Sequence, residues 1–244
     1  MKKLILVILF SFSLISISSA QITAQIGGGL AYNLPQGDAG GTTDEFYKGT
    51  KYGLSNGVTF FAKARAGLLG TSFFAEIDYG KLSGDGNADE NRGKVEVSLQ
   101  NFSVKLGPEI MIDIPLSPVS PYLAPYLMIN QFSGEVKFQG VSKVPSGTYD
   151  LKSATRIGGG AAAGVLFKLN PALKIDISLH YQLLNLFGKQ FDAVDPTSVR
   201  RLDSYTSLND DKDPLYSSTS DEHIISDKRS INNIQFKVGL MFGL

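Results

Sequence analysis

The chain has few residues suited to acid–base chemistry. Histidine, whose charge changes near neutral pH, occurs only at His180 and His223. His180 shares one face of an alternating segment with Asp176 and Ser178. A polar side chain in a hydrogen-bond network is the favoured interpretation of His180. The sequence therefore predicts no enzyme active site.

One polar segment carries part of a calcium-loop pattern. The oxygen-bearing residues at its first, third, fifth and twelfth positions are Asp85, Asn87, Asp89 and Glu96. Glu90 stands at the sixth position, where the sharp turn of a calcium loop needs glycine. Asp, Asn and Gly are also ordinary turn residues, so the segment favours a solvent-exposed hairpin tip, with a weak calcium site as the alternative.

The elements that would position these residues are β-strands. Apolar and polar residues alternate with the period of two that is typical of strands with two different faces. We predict eight such strands, over residues 22–32, 58–68, 73–79, 95–106, 121–131, 157–169, 173–183 and 235–244. The apolar positions of the fourth strand change parity between Leu99 and Phe102, and a β-bulge there would restore the facing.

The polar faces of these strands carry most of the charged residues. In a membrane barrel this face lines the lumen, while the apolar face meets lipid. The predicted lumen charge network contains Lys63, Arg65, Glu76, Asp78, Lys105, Arg156, Lys168, Lys174, Asp176, His180 and Lys237. An eight-stranded barrel is narrow enough to be filled by its own side chains, so ion pairs among these residues would plug the lumen.

The N-terminal segment has the pattern of an export signal. Two lysines and an apolar run over residues 4–15 precede small residues at Ser18 and Ala20, as signal peptidase requires. The run is shorter than the ~20 residues of a membrane-spanning helix. The sequence predicts a signal peptide over residues 1–20 and a barrel domain over residues 21–244.

Composition limits the chemistry of the exported chain. It has no cysteine, and Lys plus Arg equals Asp plus Glu at 23 each. Disulfides and thiolate metal sites are therefore excluded, and no global field suggests nucleic acid as a partner. No cofactor is predicted.

Long and short connections alternate between the strands, which is the asymmetry of outer-membrane barrels. The long segments cover residues 33–56, 82–93, 132–154 and 187–231. The short ones cover residues 69–72 and 170–172, and residues 113–120 are of intermediate length. We expect the long segments to be extracellular and both termini to be periplasmic. The final long segment is polar and is expected to be mobile, with Tyr205, Leu215 and Tyr216 as candidate partner anchors.

The chain resembles the small outer-membrane barrel family that includes the membrane domain of OmpA, OmpX and the opacity-type proteins. The resemblance rests on the alternation, on Pro121-Tyr122-Leu123 opening a strand after a short turn, and on the last strand with Phe242. It implies an all-β fold, an eight-stranded antiparallel up-and-down transmembrane β-barrel with long extracellular loops and short periplasmic turns, in contact with outer-membrane lipid. It also implies that Phe242 is the signal read by the barrel-assembly machinery, although Gly243 and Leu244 follow it here.

The favoured function is a structural or surface-interaction role in the cell outer membrane, with a plugged lumen. A narrow ion or solute channel is one alternative. A soluble exported barrel that binds a small apolar ligand, as lipocalins do, is another. The sequence does not identify an external partner.

Overall fold

The computed structural model describes residues 23–68, 71–89, 92–112, 114–192, 200–217 and 223–243. Eight antiparallel strands form a closed barrel in chain order, and the last strand pairs with the first. They are β1 Thr23–Gln36, β2 Asn56–Leu68, β3 Thr71–Asp89, β4 Arg92–Met111, β5 Val119–Gln139, β6 Gly147–Lys168, β7 Leu173–Phe187 and β8 Asn232–Gly243. The predicted fold class is confirmed. The predicted signal peptide, residues 1–20, lies outside the described residues.

Helical structure is confined to the loops in the described part of the chain. Helix α1 (Thr43–Tyr47) follows a 3-10 turn at Gly37–Ala39, and helix α2 (Arg200–Thr206) precedes β8. Thr42 caps α1, because its side chain accepts a hydrogen bond from the Glu45 amide and the Glu45 carboxylate accepts one from the Thr42 amide. Neither helix is long and apolar enough to cross a membrane.

The lower part of the barrel, towards the short turns, has an apolar outside and a polar inside. Phe73, Leu127 and Leu179 point outward and are exposed, while Lys63, Glu76 and the other charged residues point inward and are buried. A soluble ligand-binding barrel has the opposite arrangement, with an apolar interior. The lipocalin-like alternative is therefore wrong.

The apolar residues change from the outer to the inner face in the upper part of the barrel. Val95, Val97 and Leu99 of β4 are buried inside, while Phe102 and Val104 of the same strand are exposed outside. The register between β3 and β4 is continuous through this region, with Leu82 opposite Leu99 and Tyr79 opposite Phe102. The predicted β-bulge between Leu99 and Phe102 is wrong, because the strand stays regular and the medium around it changes.

An irregularity does occur one strand further on. The register between β5 and β6 shifts between Phe132 and Gly134, so that Phe132 pairs with Ala154 and Gly134 pairs with Leu151. This bulge turns Leu151 of β6 towards the apolar interior, where it packs against the buried cluster.

The long loops form a folded extracellular cap over the mouth of the barrel. The predicted loop at residues 82–93 is mostly strand, because β3 and β4 continue to Asp89 and from Arg92. β5 and β6 likewise extend into the predicted loop at residues 132–154. Above the outer apolar band the cap needs its own core, which Phe46, Leu54, Val97, Phe138, Tyr205 and Ile231 provide.

The final loop differs most from its prediction. Its described parts are folded into the mouth, with Tyr205, Leu208, Asn209 and Asp210 all buried. The expectation of a mobile segment is wrong for these parts, because their apolar residues pack in the cap and their polar residues have fixed partners. Tyr205 is unable to anchor an external partner, whereas Leu215 and Tyr216 are exposed.

Candidate functional site

The candidate site is the polar interior of the barrel. Its lowest layer, the periplasmic cluster, consists of Lys63 and Arg65 of β2, Glu109 of β4 and Asp176 of β7. Lys63 Nζ is 2.9 Å from Glu109 Oε2 and 3.4 Å from Asp176 Oδ2. Arg65 Nε is 2.8 Å from Glu109 Oε1, and its Nη2 is 3.0 Å from Asp176 Oδ2. Each cation contacts both carboxylates.

A second layer, again with two cations and two carboxylates, lies above it. This central cluster consists of Glu76 and Asp78 of β3, Lys105 of β4 and Lys237 of β8. Lys105 Nζ is 2.5 Å from Asp78 Oδ2 and 3.2 Å from Glu76 Oε1. Lys237 Nζ is 2.6 Å from Glu76 Oε1 and 3.0 Å from Asp78 Oδ1. Two lysines and two carboxylates thus form a closed set of buried ion pairs.

Aromatic rings pack against the buried cations. Lys63 Nζ lies 4.9 Å from the ring centroids of both Phe74 and Tyr122. Lys237 Nζ lies 4.3 Å from the centroid of Phe61. Cation–π contacts of this kind are strongest where water is excluded, so the rings offset part of the cost of burying the ammonium groups.

A layer of neutral polar side chains separates the central cluster from the cap. The Asn33 amide donates to Thr59 Oγ1 at 2.8 Å, and the Asn233 amide donates to Asn33 Oδ1 at 2.8 Å. Ser103 Oγ donates to Asn130 Oδ1 at 2.6 Å. Amides and hydroxyls both donate and accept, so this layer links groups that are buried between charges below and an apolar core above.

Arg156 belongs to the cap instead of the clusters. Its Nε is 2.8 Å from Asp210 Oδ2, and its Nη2 is 3.2 Å from Asp210 Oδ1. The same carboxylate accepts hydrogen bonds from the Asn185 side chain at 3.1 Å and the Gln190 amide at 2.7 Å. This two-point ion pair ties the final loop to the barrel wall.

Arg229 makes a similar connection inside the cap. Its guanidinium lies 4.1 Å from the ring centroid of Tyr52 and donates to the Asn209 carbonyl. Burial raises the pKa of the Tyr52 phenol, which keeps that group neutral. The first and last long loops are thereby joined by contacts that exclude water.

The structure corrects the predicted network in two further places. Lys168 is exposed, because it is the last residue of β6 and lies at the rim of the barrel, next to the turn between β6 and β7. Its assignment to the lumen is wrong. Lys174 is buried near the same end. Glu109, a member of the periplasmic cluster, was missed, although the alternation through Ser103 and Lys105 places it on the lumen face.

Both histidines act as hydrogen-bond links. His180 lies in the lumen with Nδ1 at 3.1 Å from Tyr126 Oη and Nε2 at 3.0 Å from Ser178 Oγ. His223 lies in the cap with Nδ1 at 2.9 Å from Ser204 Oγ and Nε2 at 3.2 Å from the Phe46 carbonyl oxygen. Each Ser–His pair is buried, so neither presents a nucleophile to a substrate in solution.

The segment with the calcium-loop pattern forms a hairpin. Asp85 lies opposite Glu96, Asn87 opposite Lys94, and Asp89 opposite Arg92 in the ladder. Extended strands separate alternate residues by roughly 7 Å, whereas a calcium loop curls its ligands around the ion. No group of three or more His, Asp or Glu in the described part of the chain is placed to hold a metal ion. The weak calcium site stays an untested alternative.

Comparison with known proteins identifies one family. The model of the outer membrane protein beta-barrel domain matches residues 5–242, and no curated protein matches the chain. Solved structures with a similar fold include Neisserial surface protein A, which is 14% identical to this chain with a TM-score of 0.47. That match covers 92% of this chain and 99% of the Neisserial chain. OprG from Pseudomonas aeruginosa is 10% identical with a TM-score of 0.49, covering 93% of this chain and 98% of its own.

Proposed function

Because this chain belongs to the outer membrane protein beta-barrel domain family, we propose that it is a non-conducting outer-membrane anchor that presents a folded extracellular cap to molecules outside the cell. Its apolar outer band faces lipid, and its long loops lie on the extracellular side. The proposal joins two properties, a closed lumen and a surface available for contact.

The central cluster carries the first part of the proposal. Lys105 and Lys237 each contact both Glu76 and Asp78, and all four side chains are buried across the middle of the barrel. The periplasmic cluster below and the cap above occupy the remaining lumen. A hydrated ion that passed through the lumen would have to separate these ion pairs. Separation costs roughly several kcal/mol for each buried charge that is left without a partner.

Conductance measurements test the closed lumen. The purified protein, reconstituted in planar bilayers, is expected to give no stable conductance steps. A double variant, Asp78→Ala with Lys105→Ala, removes one directly contacting pair and serves as the control in which leak should increase. Regular conductance steps from the unaltered protein would instead support the narrow-channel alternative.

An exposed turn of the cap supports a role in surface contact. The Leu215 amide donates to Asp213 Oδ1 at 2.8 Å, and the Tyr216 amide donates to the Asp213 carbonyl at 3.1 Å. Leu215 and Tyr216 are exposed on this ordered turn, and Lys212 Nζ lies 5.4 Å from the Tyr216 ring centroid. The two hydrogen bonds to Asp213 restrain this external turn, so an apolar pair there loses less conformational entropy on binding than it would on an unrestrained loop.

The proposed role includes no catalysis. The Ser178–His180 pair lies in the lumen, beside the central cluster. The Ser204–His223 pair lies within the cap core. A catalytic base must reach a bound substrate, and both His180 and His223 are buried. Both pairs are better explained as internal hydrogen bonds.

Phe242 is proposed as part of the signal read by the barrel-assembly machinery. It is 53% exposed on the outer face of β8, opposite Ile26 of β1 and Leu173 of β7. Phe242→Ala is expected to lower the amount of folded barrel in the outer membrane several-fold, as seen by heat-modifiable migration on gels. Phe236→Ala is the matched control, because Phe236 is 50% exposed on the same face of β8. Equal losses in the two variants would contradict a specific signal.

A further inference from the structure

The connection between β4 and β5 is an exposed apolar turn. Residue 113 lies outside the described residues, and we refer to residues 112 and 114–118 as the β4–β5 turn. Ile112 and Ile114 are exposed, and Leu116 is 107% exposed, as much as in an extended free peptide. Exposed apolar side chains are unfavourable in water, so the presence of three in one turn requires an explanation.

Leu116 also has an unfavourable backbone conformation. Its φ is 62°, within the left-handed region that non-glycine residues rarely adopt. The Ser117 amide donates to the Ile114 carbonyl at 3.1 Å, which closes a β-turn with Pro115 and Leu116 at its centre. Glycine or asparagine is the usual residue at the third position of a turn with positive φ. Neither backbone preference nor packing within the described protein accounts for leucine here.

The turn continues the outer apolar band of the barrel. Phe102, Leu106 and Ile110 are exposed along the outer face of β4 and lead directly to Ile112. The strand from Phe102 to Ile112 rises roughly 25 Å when tilted by about 40°, which equals the height of the lipid-facing band in such barrels. The β4–β5 turn therefore lies where the hydrocarbon of the periplasmic leaflet meets the head groups.

The neighbouring surface suits a phospholipid. An apolar groove of about 520 Å³ on the outer wall is lined by Ile112, Pro121 and Leu123, and extends over Ala163. The Lys168 amide donates to the Pro118 carbonyl at 2.7 Å, so the exposed Lys168 lies beside the turn. A lysine at this level can direct its ammonium group to lipid phosphates.

We propose that the β4–β5 turn inserts into the periplasmic leaflet of the outer membrane and that Leu116 contacts phospholipid acyl chains there. Burial of the leucine in lipid offsets the unfavourable backbone conformation that projects it. The turn between β6 and β7 is built differently, because Asn170 Oδ1 accepts hydrogen bonds from the amides of Ala172 and Leu173, both at 2.9 Å. We expect that compact turn to remain in water.

A single tryptophan tests the proposal directly, since the chain contains none. Leu116→Trp and the control Ala172→Trp are reconstituted into vesicles of phosphatidylethanolamine and phosphatidylglycerol, with or without bromine on the acyl chains. Leu116→Trp is expected to emit at shorter wavelength than Ala172→Trp and to be quenched several-fold more by the brominated lipid. Heat-modifiable migration on gels establishes that each variant is folded.

Ile114→Trp in the same turn is the second reporter if Leu116→Trp does not fold. Emission and quenching equal to those of Ala172→Trp would overturn the proposal, because the turn would then lie in water. Short-wavelength emission without quenching by bromine would also overturn it, since the side chain would then be packed against protein instead of lipid.

Discussion

Asp78→Ala is expected to lower the free energy of unfolding by about 3–5 kcal/mol, as for other buried ion pairs that lose one partner. Asp78 contacts both lysines of the central cluster, at 2.5 Å from Lys105 Nζ and 3.0 Å from Lys237 Nζ. Its removal leaves two buried ammonium groups to share Glu76. Urea unfolding of the protein in lipid vesicles measures the effect.

A surface carboxylate provides the matched control. Glu96 lies 3.3 Å from Lys137 Nζ on the outside of the cap, with 52% of its side chain exposed. Glu96→Ala is expected to cost less than about 1 kcal/mol, because water solvates the remaining lysine. Equal losses for Asp78→Ala and Glu96→Ala would show that the central cluster contributes no more than a surface pair.

Replacing both partners with apolar residues separates the ion pair from the volume that it occupies. The double variant Asp78→Leu with Lys105→Met is expected to be more stable than Asp78→Ala alone, because no unpaired charge is created at that position. A double variant as unstable as the single one would indicate that packing, not charge, sets the cost.

Arg156→Ala is expected to release the final loop from the mouth of the barrel. Asp210 is fully buried and loses both of its contacts with the guanidinium. A loss of about 3 kcal/mol in the closed cap corresponds to a roughly hundredfold larger open population. Cleavage of intact cells by subtilisin within residues 200–217 should accelerate by a similar factor.

Lys228→Ala is the control for this experiment. Lys228 Nζ lies 3.4 Å from Asp211 Oδ1 in the same loop, but the lysine side chain is 70% exposed. Its removal should change the cleavage rate little, because an exposed pair contributes little to stability. If Arg156→Ala and Lys228→Ala were cleaved at the same rate as the unaltered protein, the Arg156–Asp210 pair would not hold the cap.

The strands of the lower barrel could be predicted because their pattern is local. Each side chain alternates between lipid and lumen, so the positions of Lys63, Glu76 and Asp78 on one face follow directly from the spacing. The partners of these residues do not follow. Lys63 contacts Glu109 and Asp176, which are 46 and 113 positions further along the chain, and only the register of the closed barrel brings them together.

The cap was predicted least well, because its packing depends on residues distant in the sequence. The segment containing Asn209 and Asp210 has the composition of a solvated loop, yet Arg156 and Asn185 bind Asp210 inside the mouth. Composition reports how soluble a segment is, but it does not report whether partners of opposite charge surround it. The Arg156–Asp210 contact joins residues 54 positions apart.

The alternation around Leu99 and Phe102 separates, within one strand, what the sequence determines from what the tertiary structure decides. Period two in the sequence establishes that β4 has two different faces, and that much requires no coordinates. Which of the two faces carries the apolar residues depends on what surrounds the strand at that height. Phe102 points outward within the lipid-facing band, whereas Leu99 points inward because the outside of the cap meets water and its inside is packed with loop residues. Only the tertiary structure places the boundary between these two environments.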